Sequence, residues 1–173
     1  MTPGYAYTPY IWPSFCTVVF LSVLAIYSWQ RRSVPGAIPF AIGCLFAAFW
    51  AAGAMMEYAA LDIETMIFWF KFQALWRLPT TTASLCFVLE YAWPGRWLTR
   101  RNLFLLSIPC VLGIGLALTN DLHHLAWREF ASEEDVIELR GPANWMFLVY
   151  GYVLSTANLI VFCLRHMQAK ELA

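Results

Sequence analysis

Charge is the first scarcity in this chain. Eleven basic and eleven acidic residues among 173 make up 13% of it, against about 25% in soluble domains. With 61% hydrophobic residues, a globule of this length cannot present a water-compatible surface, so lipid must cover much of it. Histidine is scarcer still, confined to His123, His124 and His166. The five cysteines (Cys16, Cys44, Cys86, Cys110 and Cys163) fall in different apolar segments with no Cys-x-x-Cys pair. They read as small apolar packing residues, not as a disulfide framework or a metal cluster. Nucleophile elbow, phosphate loop, zinc-hydrolase motif and Cys-His pairing are all missing. No catalytic residue is therefore nominated, the chain is expected to be non-enzymatic, and no nucleic acid is expected as a partner.

What the chain does have is long apolar runs. Five stretches are long enough to cross a hydrocarbon core, which takes roughly 20 residues as helix: about 11–30, 36–60, 64–93, 102–119 and 145–168. The connections are short except for 120–144. The expected fold is all-α, a polytopic transmembrane helical bundle of about five helices forming one domain over 1–173. Charge asymmetry orients it. With the N-terminus outside, Arg31, Arg32, Arg96, Arg100, Arg101, Arg165 and Lys170 sit at cytoplasmic ends, while Arg128 and Arg140 are the cations of the outer loops. The first residues lack a basic region, so the first helix is expected to be an uncleaved anchor. Tyr5, Tyr7, Tyr10 and Trp12 would form the outer aromatic belt, and Trp93 and Trp97 the inner one. The expected location is the cell (inner) membrane, spanned several times. Gly43, Ala47 and Ala51 on the second helix, and Gly151 with Ser155 on the fifth, have the spacing of close helix approaches in lipid.

Two cations interrupt the third apolar run. Lys71 lies about two turns from its outer end and could snorkel outward or meet Glu64. Arg77 lies nearer the middle, where a charge costs on the order of 3 kcal/mol. It must face the bundle interior, water or a partner, and Pro79 frees a backbone carbonyl within its reach. An anion or ligand contact, a proton-linked switch, an internal ion pair and a subunit contact all remain open for it. Glu57 and Glu90 are its candidate partners.

The stretch "LTNDLHHLAW" is the most polar next to any apolar run. Asn120 and Asp121 can bond local backbone groups and end a helix. On a helix His123 and His124 point about 100° apart, so they do not readily share a metal ion, and none is assigned. The acidic run Ser132-Glu133-Glu134-Asp135 reads as a solvated loop, with weak cation binding as its minor alternative.

"LTNDLHHLAW", followed after the acidic loop by "RGPANWMFLVYGYVLSTANLIVFCLRHM", resembles the N-terminal seven-helix membrane sensor region of bacterial histidine kinases. The pattern matched is a helix ending in Thr-Asn-x-x-His-x-x-x-Trp, a variable outer loop, a Gly and an aromatic-rich helix. Here those positions are Thr119, Asn120, His123, Trp127, Gly141, Trp145, Tyr150 and Leu164. Lys71, Gln73, Pro79, Phe87, Tyr91 and Pro109 are similar to positions in the family's third and fourth helices. The likeness covers about residues 35–168. The resemblance implies a signal-input module that relays an outer or lipid-borne signal to a cytoplasmic output. Its candidate ligand residues are Lys71, Arg77, Glu57, Asn120, His123, His124 and Trp127. The chain departs from the family in having about five helices and no phosphoacceptor region or ATP-binding boxes, and in placing Arg77 where an apolar residue is expected. An accessory or scaffold subunit of a larger membrane complex is the alternative. A transporter or pigment-binding pump fits less well, because no inverted repeat is visible and Lys71 has no Asp near it in its segment. Expected partners are membrane lipids, and either other membrane subunits or a signalling output. No cofactor is evident, a bound lipid or pigment being the only kind considered.

Overall fold

Asp62 and Thr99 start two of the helices in the usual chemical way, each accepting a backbone amide three residues on: Asp62 Oδ1 from Thr65 at 2.9 Å and Thr99 Oγ1 from Asn102 at 3.3 Å. The computed structural model describes residues 4–132 and 136–171. Its long helices are α1 (Ile11–Gln30), α2 (Ala37–Ala59), α3 (Ile63–Ala92), α4 (Arg100–Leu118) and α6 (Pro142–Glu171). A single turn, α5 (Asn120–His123), follows α4. β1 (Trp127–Ser132) then pairs antiparallel with β2 (Val136–Arg140). The helical bundle forms as expected, and the connection read as an open loop contains a short hairpin.

Among the described residues, four helices, α1, α2, α4 and α6, are both long and apolar enough to cross a membrane. The exception is α3, although its 30 residues are ample in length. Its position explains this. α2, α4 and α6 all pack on α3, while α4 and α6 scarcely touch each other and α1 packs on α2. A helix wrapped by others need not be lipid-compatible around its whole circumference, so α3 can carry Lys71, Gln73, Arg77 and the Thr80–Thr82 run. It also holds more buried residues than any other element, Gln73, Pro79, Thr82 and Cys86 among them.

Small side chains let α2 approach α3. Ala41, Cys44, Ala48 and Gly53 are its buried residues, and a Cβ added at Gly53 would lie 2.6 Å from Gln73 Cγ and 3.0 Å from the Phe72 ring. The stripe Gly43–Ala47–Ala51 divides between two neighbours. Gly43 meets Ala83 of α3, whereas Ala47 and Ala51 face Pro13 and Thr17 of α1. Gly151 makes no close approach at all, since nothing lies within 4 Å of a Cβ built there. Gly151 and Ser155 line open space instead, because α6 leans on α3 and not on α4.

The two ends of the bundle differ. At one end the N-terminal segment lies on the α2–α3 turn, with a Tyr5–Ala60 bridge and Trp69 Nε1 donating to the Tyr5 hydroxyl at 3.1 Å. The β1–β2 hairpin shares that end, with Trp127 and Phe130 of β1 packed on Phe70 of α3. At the opposite end the α1–α2 turn meets Phe87 near the end of α3. Arg31, Arg32, Arg96, Arg100, Arg101 and Arg165 cluster in sequence around that end, where Trp93 and Trp97 lie 6.2 Å apart. These are called the hairpin end and the basic end below.

Replacing Gly53 with leucine should overpack the α2–α3 seam and destabilise the protein by about 1–3 kcal/mol. Melting in detergent measures this, and a Gly53→Leu protein as stable as the parent would show that the seam is loose.

Candidate functional site

The polar stretch after α4 folds into one hydrogen-bonded knot. Asn120 is 2% exposed and every polar atom of its side chain is engaged. Oδ1 accepts from the amides of Ala126 (2.9 Å) and Trp127 (3.0 Å), and Nδ2 donates to the Trp127 carbonyl at 2.9 Å. These bonds fold the chain back over the end of α4. His123 Nδ1 accepts from the Leu125 amide at 3.0 Å, so Nε2 carries the proton and donates to Thr119 Oγ1 at 3.0 Å. Thr119 in turn donates to the Gly115 carbonyl at 2.7 Å. His124 adopts a left-handed conformation (φ 51°) that ends α5, and its side chain is exposed. The two histidines therefore diverge. Among the described residues, no three His, Cys, Asp or Glu side chains gather to hold a metal ion.

Gly141 closes the knot. A Cβ there would lie 2.0 Å from the Leu125 carbonyl oxygen, and only the bare backbone lets Gly141 N donate to Ala126 O at 2.9 Å. Trp127, 3% exposed, packs edge-on to Phe70 of α3 and against Phe130. Arg140 lies over the Trp145 ring, 5.5 Å from its centroid. Thr119, Asn120, His123, Trp127, Gly141 and Trp145 thus form one tie between α4, the hairpin, α3 and α6. Pro79 lies apart from them, buried within α3. Glu133, Glu134 and Asp135 of the acidic run lie outside the described residues.

Lys71 does not pair with Glu64. Its Nζ contacts Asp121 Oδ1 at 2.7 Å and lies 6.0 Å from the Phe130 ring centroid. The α4–α5 corner overhangs α3 at this point, so Lys71 finds an acid from another element before one on its own helix. Asp121 is 77% exposed, so the pair is screened and contributes little by itself. The hydrogen bond and charge of Lys71 hold the Asp121 carboxyl below the usual carboxylate range. The Thr65 amide does the same for Asp62. Glu57 accepts from Gln73 Nε2 across the α2–α3 seam, and Glu90 Oε1 accepts from the Gly95 amide at 3.1 Å. No ion pair joins either carboxylate to Arg77, the candidate partner of both.

Arg77 instead lines a cleft of about 350 Å³ between α3, α4 and α6, within the size range of small-molecule sites. Its walls include Leu78 and Thr81 of α3, Gly113 and Ala117 of α4, and Phe147, Gly151 and Ser155 of α6. Trp127 and Asn144 bound it at the hairpin end. Asn144 and Ser155 are eleven residues apart on α6, so the cleft runs about 16 Å towards mid-membrane at 1.5 Å per residue. Of the residues proposed from sequence, Arg77 and Trp127 meet in this cleft. Lys71 sits beside the knot, and Glu57 lies at the α2–α3 seam. The cleft residues of α4 and α6 escape sequence reading because Gly113, Ala117, Gly151 and Ser155 resemble ordinary helix-packing residues. The tie of α3 to α6 from Asn158 Nδ2 to Ser84 Oγ (3.2 Å) and that of α3 to α4 between Thr82 and Cys110 (3.2 Å) are likewise invisible in one dimension.

The family described as the N-terminal 7TM region of histidine kinase matches residues 13–172. That range takes in the five long helices, the knot and the cleft. Neither a curated protein nor a solved structure matches the chain.

Asn120→Ala should cost on the order of 3 kcal/mol, because it leaves the amides of Ala126 and Trp127 and a carbonyl unsatisfied in a buried place. Faster amide exchange in β1 would accompany the loss, and unchanged exchange would show that the knot does not depend on Asn120. A lowered folded-state pKa at Asp121 means that its stabilisation is present above the unfolded value of about 3.9 and drains away as pH falls through the folded value. Melting temperatures followed from pH 7 to pH 3 should therefore drop less on the acid side for Asp121→Asn than for the parent. Superimposable acid profiles would remove the Lys71 pair from the stability account.

Proposed function

The chain belongs to the family of N-terminal 7TM regions of histidine kinases, and from that membership we propose that it relays a signal from its intramembrane cleft to a cytoplasmic output. It is a multi-pass, sensor-like membrane input region, and the family's place in signalling proteins lies outside the kinase core. The observation that carries the relay is the geometry of α6. One stretch of this helix, from Asn144 to Ser155, lines the cleft, and the same helix continues to the basic end. A ligand that prefers one spacing of α6 and α3 shifts the population of helix positions and so moves the basic end as well. The arginines around that end support placing it in the cytoplasm, with the hairpin and the N-terminus outside. The knot supports the same reading, because Trp127 belongs both to it and to the cleft wall.

The Asn158–Ser84 bond is a direct handle on the α3–α6 position. With a kinase core joined after α6 as a reporter, Asn158→Ala should change autophosphorylation between about twofold and thirtyfold without added ligand, the range that changes in coupling networks commonly produce. Phe20→Ala on α1, remote from α6, should leave it unchanged. An output indifferent to Asn158→Ala would overturn the relay. If stoichiometric co-purification with other membrane subunits accompanied that result, the scaffold reading would replace it.

A further inference from the structure

Resting on that reading of the cleft, we propose that its ligand is a single-chain anionic amphiphile that comes in sideways from the bilayer and pairs its acid group with Arg77. Arg77 stands midway along α3 and half-buried, and no carboxylate among the described residues lies within ion-pair distance of it. A guanidinium at this depth is costly unless an anion or water meets it. Its fork of donors matches a carboxylate or a phosphate monoester. Two of the neighbouring hydroxyls are spent on their own helices: Thr81 donates to the Arg77 carbonyl at 3.1 Å and Ser155 to the Gly151 carbonyl at 2.9 Å. Among the described residues that line the cleft, Arg77 is the charged one.

The rest of the ligand follows from the walls and the way in. Leu78, Ala117 and Phe147 make the walls mainly apolar. Among the described residues the hairpin end is walled by Trp127, 3% exposed, and by the Asn120 bonds that hold it, which favours entry from elsewhere. On the lipid side α4 and α6 barely touch, and nothing lies within 4 Å of a Cβ built on Gly151, so this stretch of α6 leaves the gap open. A volume of about 350 Å³ lies at the lower end of ligand sites, which suits one acyl chain and not a two-chain phospholipid.

The test uses the full chain in phosphatidylcholine nanodiscs, with oleate as probe and oleyl alcohol, acetate and phosphatidylglycerol as comparisons, read by melting temperature and native mass spectrometry. Oleate should bind one per chain and raise the melting temperature, and the three comparisons should not. Arg77→Gln should weaken oleate binding about tenfold or more, the loss expected from a single charged contact, while Arg77→Lys keeps part of it. Without ligand, Arg77→Gln should melt no lower than the parent, because it removes a charge that has no carboxylate partner among the described residues. Gly151→Leu should block oleate while leaving Arg77 in place. The proposal is overturned if oleyl alcohol binds as well as oleate, if acetate or phosphatidylglycerol replaces it, if Arg77→Gln binds oleate normally, or if the unliganded variant melts lower. None of these readouts involves the kinase reporter, so the ligand and the relay can fail separately.

Discussion

Hydrocarbon does not solvate Lys, Arg, Gln or a run of threonines, and α3 carries all of these within one helix. The rest of the bundle is arranged around that constraint. α2 brings Glu57 to Gln73, the corner after α4 brings Asp121 to Lys71, α4 brings Cys110 to Thr82, and α6 brings Asn158 to Ser84. Each interhelical bond is modest in a membrane, averaging about 0.6 kcal/mol in cases where it has been measured. Their effect lies in direction. Each neighbour has one rotation about its axis that serves α3, so the polar side chains of one helix set the azimuth of three others. Arg77 is the position that this arrangement leaves facing a cleft and not a carboxylate.

This constraint also determines what could be read from one dimension. Lipid-facing helices declare themselves, because the stretch that lipid surrounds must be apolar, and α1, α2, α4 and α6 each contain such a stretch long enough to cross a membrane. α3 was legible by length and by its interrupting cations, but its central position is a property of contacts and not of composition. The pairing of Lys71 shows the same limit. Glu64, seven residues away, is the natural guess from helical periodicity, whereas Asp121 is fifty residues distant in sequence and 2.7 Å away in space. The hairpin was hidden for a different reason. Two strands of six and five residues carry little periodic signal, and their register depends on Asn120 and Gly141 at the base. Small residues misled in both directions: Gly53 marks the tightest seam, while Gly151 and Ser155, with similar spacing cues, border empty space.

The structure also changes what the Thr-Asn…His…Trp pattern means. Polar residues at a helix end invite a ligand-binding reading, yet the Asn120 amide and both His123 nitrogens are engaged within the chain. Their chemistry is that of a fastening. It holds Trp127 at the end of the cleft and holds the start of α6 against the end of α4, with Gly141 supplying the space in which two backbones meet.

A fastening of this kind is independent of what occupies the cleft, and that separates two kinds of residue in the chain. The residues of the Thr-Asn…His…Trp pattern serve the architecture: they close one end of the cleft and tie α6 to the hairpin. Arg77 lies outside that pattern, where the likeness leads one to expect an apolar side chain, and it supplies the cleft with its charge. In a bundle built this way, one or two positions on the cleft walls can change without disturbing the knot or the polar ties of α3. Conversely, the knot borders the cleft through Ala126 and through Trp127, whose ring packs on Phe70 of α3 on one side and bounds the cleft on the other. The knot and the cleft thus share the buried indole of Trp127, while Arg77 lines the cleft from α3, the helix that the other elements are built to enclose.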